Sequence, residues 1–267
     1  MIQIKTAEEI ALMRSAGLIV ADALAAMREA VAPGVSTGDL DSIAERVIRQ
    51  AGAVPSFLGY RGFPKTVCAS VNEEIVHGIP DSNRVLAEGD LISLDCGAIY
   101  HGYHGDAAIS VAVGQVTPEV LELMAVTEAS MWAGLSKALA GGRLSDISSG
   151  VEASVRSNSH PYGIVEHYGG HGIGTEMHQD PHVLNFGRPG RGPRLVEGLC
   201  LAIEPMVTMG DPATVELEDG WTVITKDRSW AAHFEHTVAI TADGPLVTTA
   251  HDAGLAALAR YGVSIAV

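Results

Sequence analysis

Four acidic residues lie in or beside apolar segments that have the length of β-strands. Asp95 falls inside one such segment and Glu204 ends another, while Asp106 and Glu235 each open a further one. An ionised carboxylate inside an apolar strand costs free energy unless it is paired or bound to a metal. A solvent-exposed strand end would explain any one of the four, but it explains four in matching positions poorly. The pattern therefore indicates carboxylates that converge on one site.

The chemistry of such a site follows from its charge. Four carboxylates without counterions would repel one another, so that some would have to be protonated. Two divalent cations would cancel the four charges, and one neutral imidazole would complete an oxygen-rich ligand set that suits Mn, Fe or Co at least as well as Zn. Two such ions, about 3.5–4 Å apart, can bridge a hydroxide and polarise a carbonyl. The expected chemistry is hydrolytic.

Histidines are the next candidates for the site. Because side chains alternate along a strand, Glu235 is expected to share a face with His233. Residues 169–174 form a glycine-rich stretch around His171, which lets backbone or ligand approach closely, and His178 follows it. A structural role is the commoner one for an isolated histidine. It is the interpretation for three others nearby: His160, His167 and His182.

The elements that would carry these residues occur twice in the order helix, helix, strand, strand. Helix signals in the first half begin at Thr6 and at Ser36 or Thr37, and those in the second half begin at Pro118 and beside Ser145. Apolar segments of strand length follow in each half. The repeated order predicts that equivalent strands of the two halves hold equivalent carboxylates.

One segment shows the internal repeat directly. Residues 86–95 (LAEGDLISLD) align with residues 195–204 (LVEGLCLAIE), and each segment ends in a carboxylate. The alignment indicates a duplication of roughly 110 residues. We expect one domain over 1–267 with pseudo-repeat halves of about 1–115 and 116–267. Duplicated halves commonly pack about a pseudo-two-fold axis with a site between them.

Short motifs surround the candidates. They are HGIP (77–80), LDCG (94–97), GYHGD (102–106), GHGIG (170–174), AIEP (202–205) and FEHT (234–237). Together with His178 they resemble the motifs of the type I bacterial methionine aminopeptidases, from the first helix to about residue 240. The resemblance implies an α+β pita-bread fold, with two pseudo-symmetric halves and a central antiparallel sheet flanked by helices. It also implies removal of the initiator methionine from nascent proteins whose second residue is small.

The resemblance further implies a metal-binding role for five residues. Asp95 would chelate one metal, Asp106 and Glu235 would bridge both, and His171 and Glu204 would complete the other. The cofactors would be two divalent ions, drawn from Co, Mn, Fe or Zn, and a hydroxide held between them would attack the first peptide bond.

The same resemblance implies catalytic and substrate-binding residues. His178 would contact the scissile carbonyl or the tetrahedral oxyanion, His77 would assist near the substrate amide, and Glu204 is the family's proposed proton shuttle. The pocket for the methionine side chain would be lined by Phe57, Tyr60, Phe63, Cys68, Met177 and Trp221. Apolar and soft groups suit a thioether. The aromatic residues among them could equally be ordinary core residues.

Composition excludes several other classes. Lys and Arg number 17 against 32 Asp and Glu, so the net charge is −15, and a chain without basic runs is a poor partner for nucleic acid. No signal peptide and no apolar run of bilayer length is visible, and three scattered cysteines fit a reducing compartment. We expect a cytoplasmic monomer that acts on the N-termini of nascent polypeptides. Membrane or direct nucleic-acid binding is not expected, and any ribosome association would use protein contacts.

Two other functions use the same fold. Proline-directed peptidases usually carry an extra N-terminal domain, for which this chain is too short. A binding module that had lost its metals would have replaced ligands, whereas all five stand in the sequence. The string Gly34 to Gly38 (GVSTG) matches the nucleophile elbow of serine hydrolases, but a helix rather than a strand precedes it.

Overall fold

A computed structural model describes residues 2–265, in which helices cover a central antiparallel sheet. The helices are α1 (Ala7–Ala30), α2 (Thr37–Gln50), α3 (Pro118–Leu135), α4 (Leu144–Arg156) and α5 (Leu255–Ala259). The strands are β1 (Val54–Pro55), β2 (Val67–Val71), β3 (Glu74–Val76), β4 (Leu91–Tyr100), β5 (Tyr103–Ala112), β6 (Gly163–Ile164), β7 (Gly170–Gly172), β8 (Gln179–Val183), β9 (Cys200–Ile203), β10 (Met206–Thr208), β11 (Thr214–Glu216), β12 (Val223–Thr225), β13 (Ala231–His233), β14 (Glu235–Thr241) and β15 (Gly244–Val247).

The main sheet has nine strands in the order β1-β4-β5-β14-β9-β7-β8, with β2 also paired to β4 and β15 to β14. Two three-stranded sheets, β13-β10-β6 and β11-β12-β3, complete the β-structure of the described residues. Every pairing in the main sheet is antiparallel, and helices flank the sheet. The predicted class, α+β with a central antiparallel sheet, is confirmed.

Helix starts follow the capping signals. The Thr6 side chain accepts a hydrogen bond from the Glu9 backbone N–H, and the Glu9 carboxylate accepts one from the Thr6 N–H. Ser36 and Asp39 form the same reciprocal pair at α2, so Ser36 and not the following threonine is the cap. Each pair satisfies two backbone donors that a helix start leaves unbonded. The helix predicted at Pro118 begins there.

The central strands are longer than their apolar segments. β4 continues to Tyr100 and β5 begins at Tyr103, with a tight turn at His101 and Gly102 where both residues have positive φ. The apolar segments predicted strands over residues 91–96 and 107–113, with a glycine-rich turn at Gly102 and Gly105 between them. In the structure β4 continues four residues past Cys96 and β5 begins four residues before Ala107, because residues 97–100 pair with residues 103–106.

Two hydrophobic core clusters fill the space between the helices and one face of the sheet. The first cluster lies between α1, α2 and β4 and contains Val20, Met27, Leu40, Ile92 and Leu94. The second lies between α3, α4, β9 and β14 and contains Met131, Ile147, Leu201, Ile203 and Val238. Because successive strand residues point to opposite faces, the acidic residues between these apolar ones point away from the helices.

Helix α1 is long and apolar enough to cross a membrane, by length and composition only. In the described structure it lies against β4 and β5 and buries Met13, Val20 and Met27 completely. The contact is close: a Cβ added at Gly105 of β5 would collide with the backbone of Gly17 of α1. Only glycine permits such an approach. The apolar face of α1 is therefore used in the protein core.

The two halves meet at β5 and β14. Asp95 of β4 and Glu235 of β14 both pair with Ala108 of β5, one from each side. Asp106 lies two residues before Ala108 and so on the same face. Thr237 joins the two strands at this point with a side-chain hydrogen bond, since its hydroxyl donates to the Asp106 carbonyl oxygen at 2.7 Å. The small Ala108 side chain leaves space between the carboxylates.

Candidate metal centre and active site

The four acidic residues picked from the sequence lie together on the face of the sheet opposite the helices. Asp106 and Glu235 are buried, and Asp95 and Glu204 are largely buried. One donor atom each of Asp106, His171 and Glu235 lies within 4.8 Å of the other two. First and second halves of the chain thus contribute to one cluster.

His171 points its Nε2 atom at this cluster. Nε2 lies 3.9 Å from Asp106 Oδ2 and 3.7 Å from Glu204 Oε1. On the other side of the ring, Nδ1–H donates to the Gly172 carbonyl oxygen at 3.0 Å. That bond places the proton on Nδ1 and leaves the Nε2 lone pair facing the carboxylates. A backbone carbonyl on the second nitrogen is the usual support of a metal-binding histidine.

Several oxygens of the cluster have no hydrogen-bond partner among the described residues. They are Asp95 Oδ1, Asp106 Oδ1 and Glu235 Oε1. A buried carboxylate oxygen without a donor is costly, and no Lys or Arg side chain forms an ion pair with the cluster in the described part of the chain. Bare oxygens around an imidazole lone pair are the donor set of a hard or borderline divalent cation, so these residues fit such a metal.

The electrostatics support the same conclusion. Burial raises the pKa of Asp95 to about 7 and that of Glu204 to about 8. Burial and the neighbouring carboxylates raise the pKa values of Asp106 and Glu235 well above the ordinary range. Burial lowers the pKa of His171 to about 4, which keeps its imidazole neutral. Without cations the protein would hold protons here at neutral pH, and cations would displace them.

Metal ions are therefore expected to stabilise the protein more at pH 8 than at pH 5.5. Because the folded-state pKa values of Asp95 and Glu204 are raised to about 7 and 8, the unfolded chain loses protons from about pH 4 upwards while the folded chain keeps them. Stability of the metal-free protein thus falls as pH rises through this window. Bound cations replace the protons and offset the loss. At a concentration 100 times Kd, about 2.7 kcal/mol should be gained, or about 5–10 °C in Tm.

Calorimetry of chelator-treated protein, with and without Mn²⁺, measures this difference. The control is Asp106→Asn, which should show little metal-dependent rise in Tm at either pH. Equal rises at both pH values in the unmodified protein would contradict the assignment of these carboxylates.

A cavity of about 520 Å³ opens above the cluster, within the range usual for small-ligand sites. All six residues proposed for the methionine pocket line it: Phe57, Tyr60, Phe63, Cys68, Met177 and Trp221. Four of them are buried and pack on one another, and Phe63 meets Trp221 edge-to-face at 5.0 Å between ring centroids. The aromatic residues thus pack as core residues and form the cavity wall at the same time.

His178 stands at the cavity wall with one side open to solvent. Its Nδ1 lies 2.9 Å from the Tyr60 hydroxyl, and its ring centroid lies 4.3 Å from that of His171. The surrounding protein, followed by His171, lowers the pKa of His178 below its ordinary value. When the Tyr60 hydroxyl donates to Nδ1, the neutral ring carries its proton on Nε2. In that arrangement the two neighbouring imidazoles would have opposite tautomers, one offering a lone pair and the other a proton.

His77 reaches the cavity from a strained backbone position. Its φ is +61°, a left-handed conformation uncommon for residues other than glycine. The ring lies edge-to-face with Tyr168 at 5.7 Å and with Trp221 at 6.3 Å between centroids. Burial lowers the pKa of His77 to about 4, so the side chain is neutral at neutral pH. Strain maintained by packing on both sides is typical of functional positions.

Sequence reasoning did not foresee every residue of the cavity. Of the three histidines interpreted as structural, His167 and His182 line it, whereas His160 lies elsewhere and contacts the Met209 carbonyl oxygen at 2.8 Å. Further lining residues are Arg61, Tyr168 and Gln179. Their positions follow from the approach of separate loops, for which no local signal exists. His233, which lies beside the carboxylate cluster, did have a signal in the sequence, because strand alternation places its side chain on the same face as Glu235.

Comparisons with known proteins agree with this geometry. Residues 11–242 match the profile of metallopeptidase family M24. The chain is 52% identical over 249 residues to the methionine aminopeptidase of Clostridium acetobutylicum, covering 93% of this chain and 99% of that one. It is also 52% identical to methionine aminopeptidase 1 of Mycobacterium tuberculosis, with 92% and 94% covered.

Solved structures give the same result. The methionine aminopeptidase of Thermotoga maritima superposes with a TM-score of 0.91 at 42% identity, covering 93% of this chain and 99% of that one. A prolidase from Pyrococcus furiosus shares the fold alone, with a TM-score of 0.71 and 21% identity, and the match spans 92% of this chain and 65% of the prolidase. The fold is therefore the pita-bread fold. The protein belongs to metallopeptidase family M24 and, within it, to the type I bacterial methionine aminopeptidases.

Proposed function

We propose that this protein is a metal-dependent exopeptidase that removes the initiator methionine from nascent polypeptides when the second residue is small. The observation that carries the proposal is made at the floor of the cavity, where carboxylate oxygens without a hydrogen-bond partner among residues 2–265 lie around the lone pair of His171. Relatives named methionine aminopeptidases, matched over almost their whole length, support the same reaction.

The proposed cofactors are two divalent cations held by Asp95, Asp106, His171, Glu204 and Glu235. Four carboxylates would balance two double positive charges, and Asp106 and Glu235, the two that are fully buried, would serve both ions. When bound, the cations supply Lewis acidity towards the scissile carbonyl and a more acidic water nucleophile. Co, Mn, Fe and Zn all suit this mixed oxygen and nitrogen set.

The protein's own residues would bind and orient the substrate. The apolar cavity wall takes the thioether side chain, since Cys68 and Met177 are soft groups beside the aromatic rings. This places the first peptide bond over the carboxylates at the cavity floor. His77 lies at the same wall and is assigned to the substrate amide.

Two side chains would stabilise the developing negative charge and transfer the proton. His178 Nε2–H, held in that tautomer by Tyr60, donates to the carbonyl oxygen as negative charge develops there. A carboxyl oxygen of Glu204 takes a proton from the attacking water and delivers it to the leaving amine. Burial raises the pKa of Glu204 to about 8 in the metal-free protein, and bound cations would lower this pKa again, so that the carboxylate can accept a proton at neutral pH.

Peptide specificity tests the proposal. With Mn²⁺ or Co²⁺ the protein is expected to release methionine from Met-Ala and Met-Gly peptides, with kcat/KM for Met-Lys peptides lower by about 10²-fold or more. The reason is that the second residue must fit between the cavity wall and the carboxylates once the methionine side chain and the first peptide bond are in place. An Ala-Pro peptide serves as the control and should not be cleaved. Comparable rates on Met-Ala and Met-Lys peptides would contradict the selectivity, and cleavage of Ala-Pro would favour a proline-directed activity.

The proposed setting is the cytoplasm, with the enzyme acting as a monomer on emerging N-termini. A net charge of −15 disfavours direct contact with RNA phosphates, so any ribosome association would be made through ribosomal protein. Gel filtration and salt-dependent co-sedimentation with ribosomes measure both expectations.

A further inference from the structure

His233 is a buried imidazole at the edge of the metal centre that has no assigned role. It ends β13 and is 1% exposed. Its Nε2 atom is enclosed and has no hydrogen-bond partner among the described residues. A buried ring nitrogen without a partner is costly, whether it carries a proton or a lone pair. The surroundings of Nε2 are therefore informative about its purpose.

Nε2 of His233 faces the ligands of the centre. It lies 3.5 Å from Glu204 Oε2, whereas the other oxygen of that carboxylate, Oε1, lies 3.7 Å from His171 Nε2. Glu204 thus lies between two imidazoles at nearly equal distances. One donor atom each of Glu204, His233 and Glu235 falls within 4.8 Å of the other two, as for the set that contains His171.

The distance between His233 Nε2 and Glu204 Oε2 suits two ligands of one cation better than it suits a hydrogen bond. Bonds from nitrogen to oxygen acceptors are normally 2.7–3.2 Å in proteins, shorter than the separation here. Two donors bound to one cation at about 2.0–2.2 Å each lie about 2.9–3.5 Å apart for bond angles of about 90–110°. The 3.5 Å between Nε2 and Glu204 Oε2 matches that second range.

The backbone holds the ring in this direction. The His233 N–H donates to Ser110 Oγ at 3.0 Å, and the same hydroxyl donates to the His233 carbonyl oxygen at 2.9 Å. On its other edge β13 pairs with β10, with Met206 opposite His233. One serine therefore holds both backbone groups of His233, and the side chain is directed at the carboxylates by a rigid strand end.

We propose that His233 is a further nitrogen ligand of the metal centre, binding a cation through Nε2 together with Glu204 and Glu235. The inference rests on the proposed dinuclear site and adds a second imidazole to it. An extra nitrogen makes the ligand set softer, so the centre should prefer Co²⁺, Fe²⁺ or Zn²⁺ to Mn²⁺ more strongly than the carboxylates and His171 alone would. Its substitution should then change which metal is bound and not only how fast the enzyme works.

The test compares the unmodified protein with His233→Gln and His233→Ala, and uses His236→Gln as the matched control. His236 is three residues further on, largely buried, and bonded to Thr249 Oγ1 at 2.8 Å, with its ring against Trp132 on the helix side of the sheet. Each protein is titrated calorimetrically with Co²⁺ and with Mn²⁺. Removal of His233 is expected to weaken Co²⁺ binding by about 10-fold or more and Mn²⁺ binding by clearly less, while His236→Gln leaves the ratio unchanged.

X-ray absorption of the Co²⁺-loaded proteins counts the imidazoles directly. The imidazole scattering per cation is expected to fall by half in His233→Gln, because one of two ring ligands has gone. The unmodified protein alone gives a decisive reading even if both variants fail to fold: a spectrum with a single imidazole for two cations overturns the inference. It is likewise overturned if the ratio of the Co²⁺ and Mn²⁺ affinities is the same with and without His233, as expected of a residue that only positions Glu204.

Failure of the inference is distinguishable from failure of the proposed function. If the unmodified protein binds two cations through one imidazole only, His233 is not a ligand, but the proposed dinuclear site is retained. If the unmodified protein binds no cation, both the role of His233 and the proposed function are rejected.

Discussion

Asp106→Asn is expected to lower kcat/KM on a Met-Ala peptide by about 10³-fold or more and to remove bound metal. Asp106 is 3% exposed, its Oδ1 atom has no hydrogen-bond donor in the described part of the chain, and Oδ2 lies 3.9 Å from His171 Nε2. The amide has the size of the carboxylate but no charge, so the two proposed cations would lose a shared ligand. Metal polarisation of a carbonyl contributes several kcal/mol to transition-state stabilisation, and about 4 kcal/mol corresponds to 10³-fold in rate.

Metal content after dialysis and the thermal stability of the metal-free protein are measured together with activity. The metal-free variant should be at least as stable as the parent at pH 8, since one of several repelling carboxylates is gone, and this separates loss of metal from loss of fold. Asp22→Asn is the control, because that carboxylate is 61% exposed on the surface. A variant that keeps both cations and more than a tenth of the activity would remove Asp106 from the centre.

His178→Ala is expected to lower kcat by about 10²-fold or more without changing metal content. In the proposed mechanism the group lost would be a single hydrogen-bond donor to the developing oxyanion, and such donors are worth about 10²–10³ in rate. Tyr60→Phe should lower kcat by a smaller factor. The Tyr60 hydroxyl, 2.9 Å from His178 Nδ1, would only orient the ring and select its tautomer, whereas the donor itself, His178 Nε2–H, is retained in this variant.

The comparison is made by steady-state kinetics and metal analysis on the same preparations. His160→Ala is the matched control, since His160 contacts the Met209 carbonyl oxygen outside the cavity. Loss of cations from His178→Ala would make His178 a ligand, and a rise in KM with unchanged kcat would make it a ground-state binding residue. Either result would replace the donor role.

Local signals were sufficient for much of the fold. Thr6 and Ser36 could be identified as helix caps because a cap and its partner are three residues apart in sequence. Alternation was enough to place Glu235 and His233 on one face, since that relation depends on strand geometry alone. The limits of β4 and β5 were missed, because Gly102 and Gly105 indicated a longer turn, whereas backbone pairing continues between residues 97–100 and 103–106.

The amino-acid sequence by itself indicated which side chains could do chemistry, that they come as two matched pairs of carboxylates with histidines, and which helices and strands carry them. Tertiary structure decided how these parts meet: the pairing of Asp95 and Glu235 on either side of Ala108, the contact between the imidazoles of His171 and His178, and the burial of His233 Nε2 without a hydrogen-bond partner among the described residues. The physical reason is the sequence separation over which each kind of interaction acts. Capping and alternation act over a few residues, whereas a site between two halves depends on strand pairing and burial between segments more than a hundred residues apart.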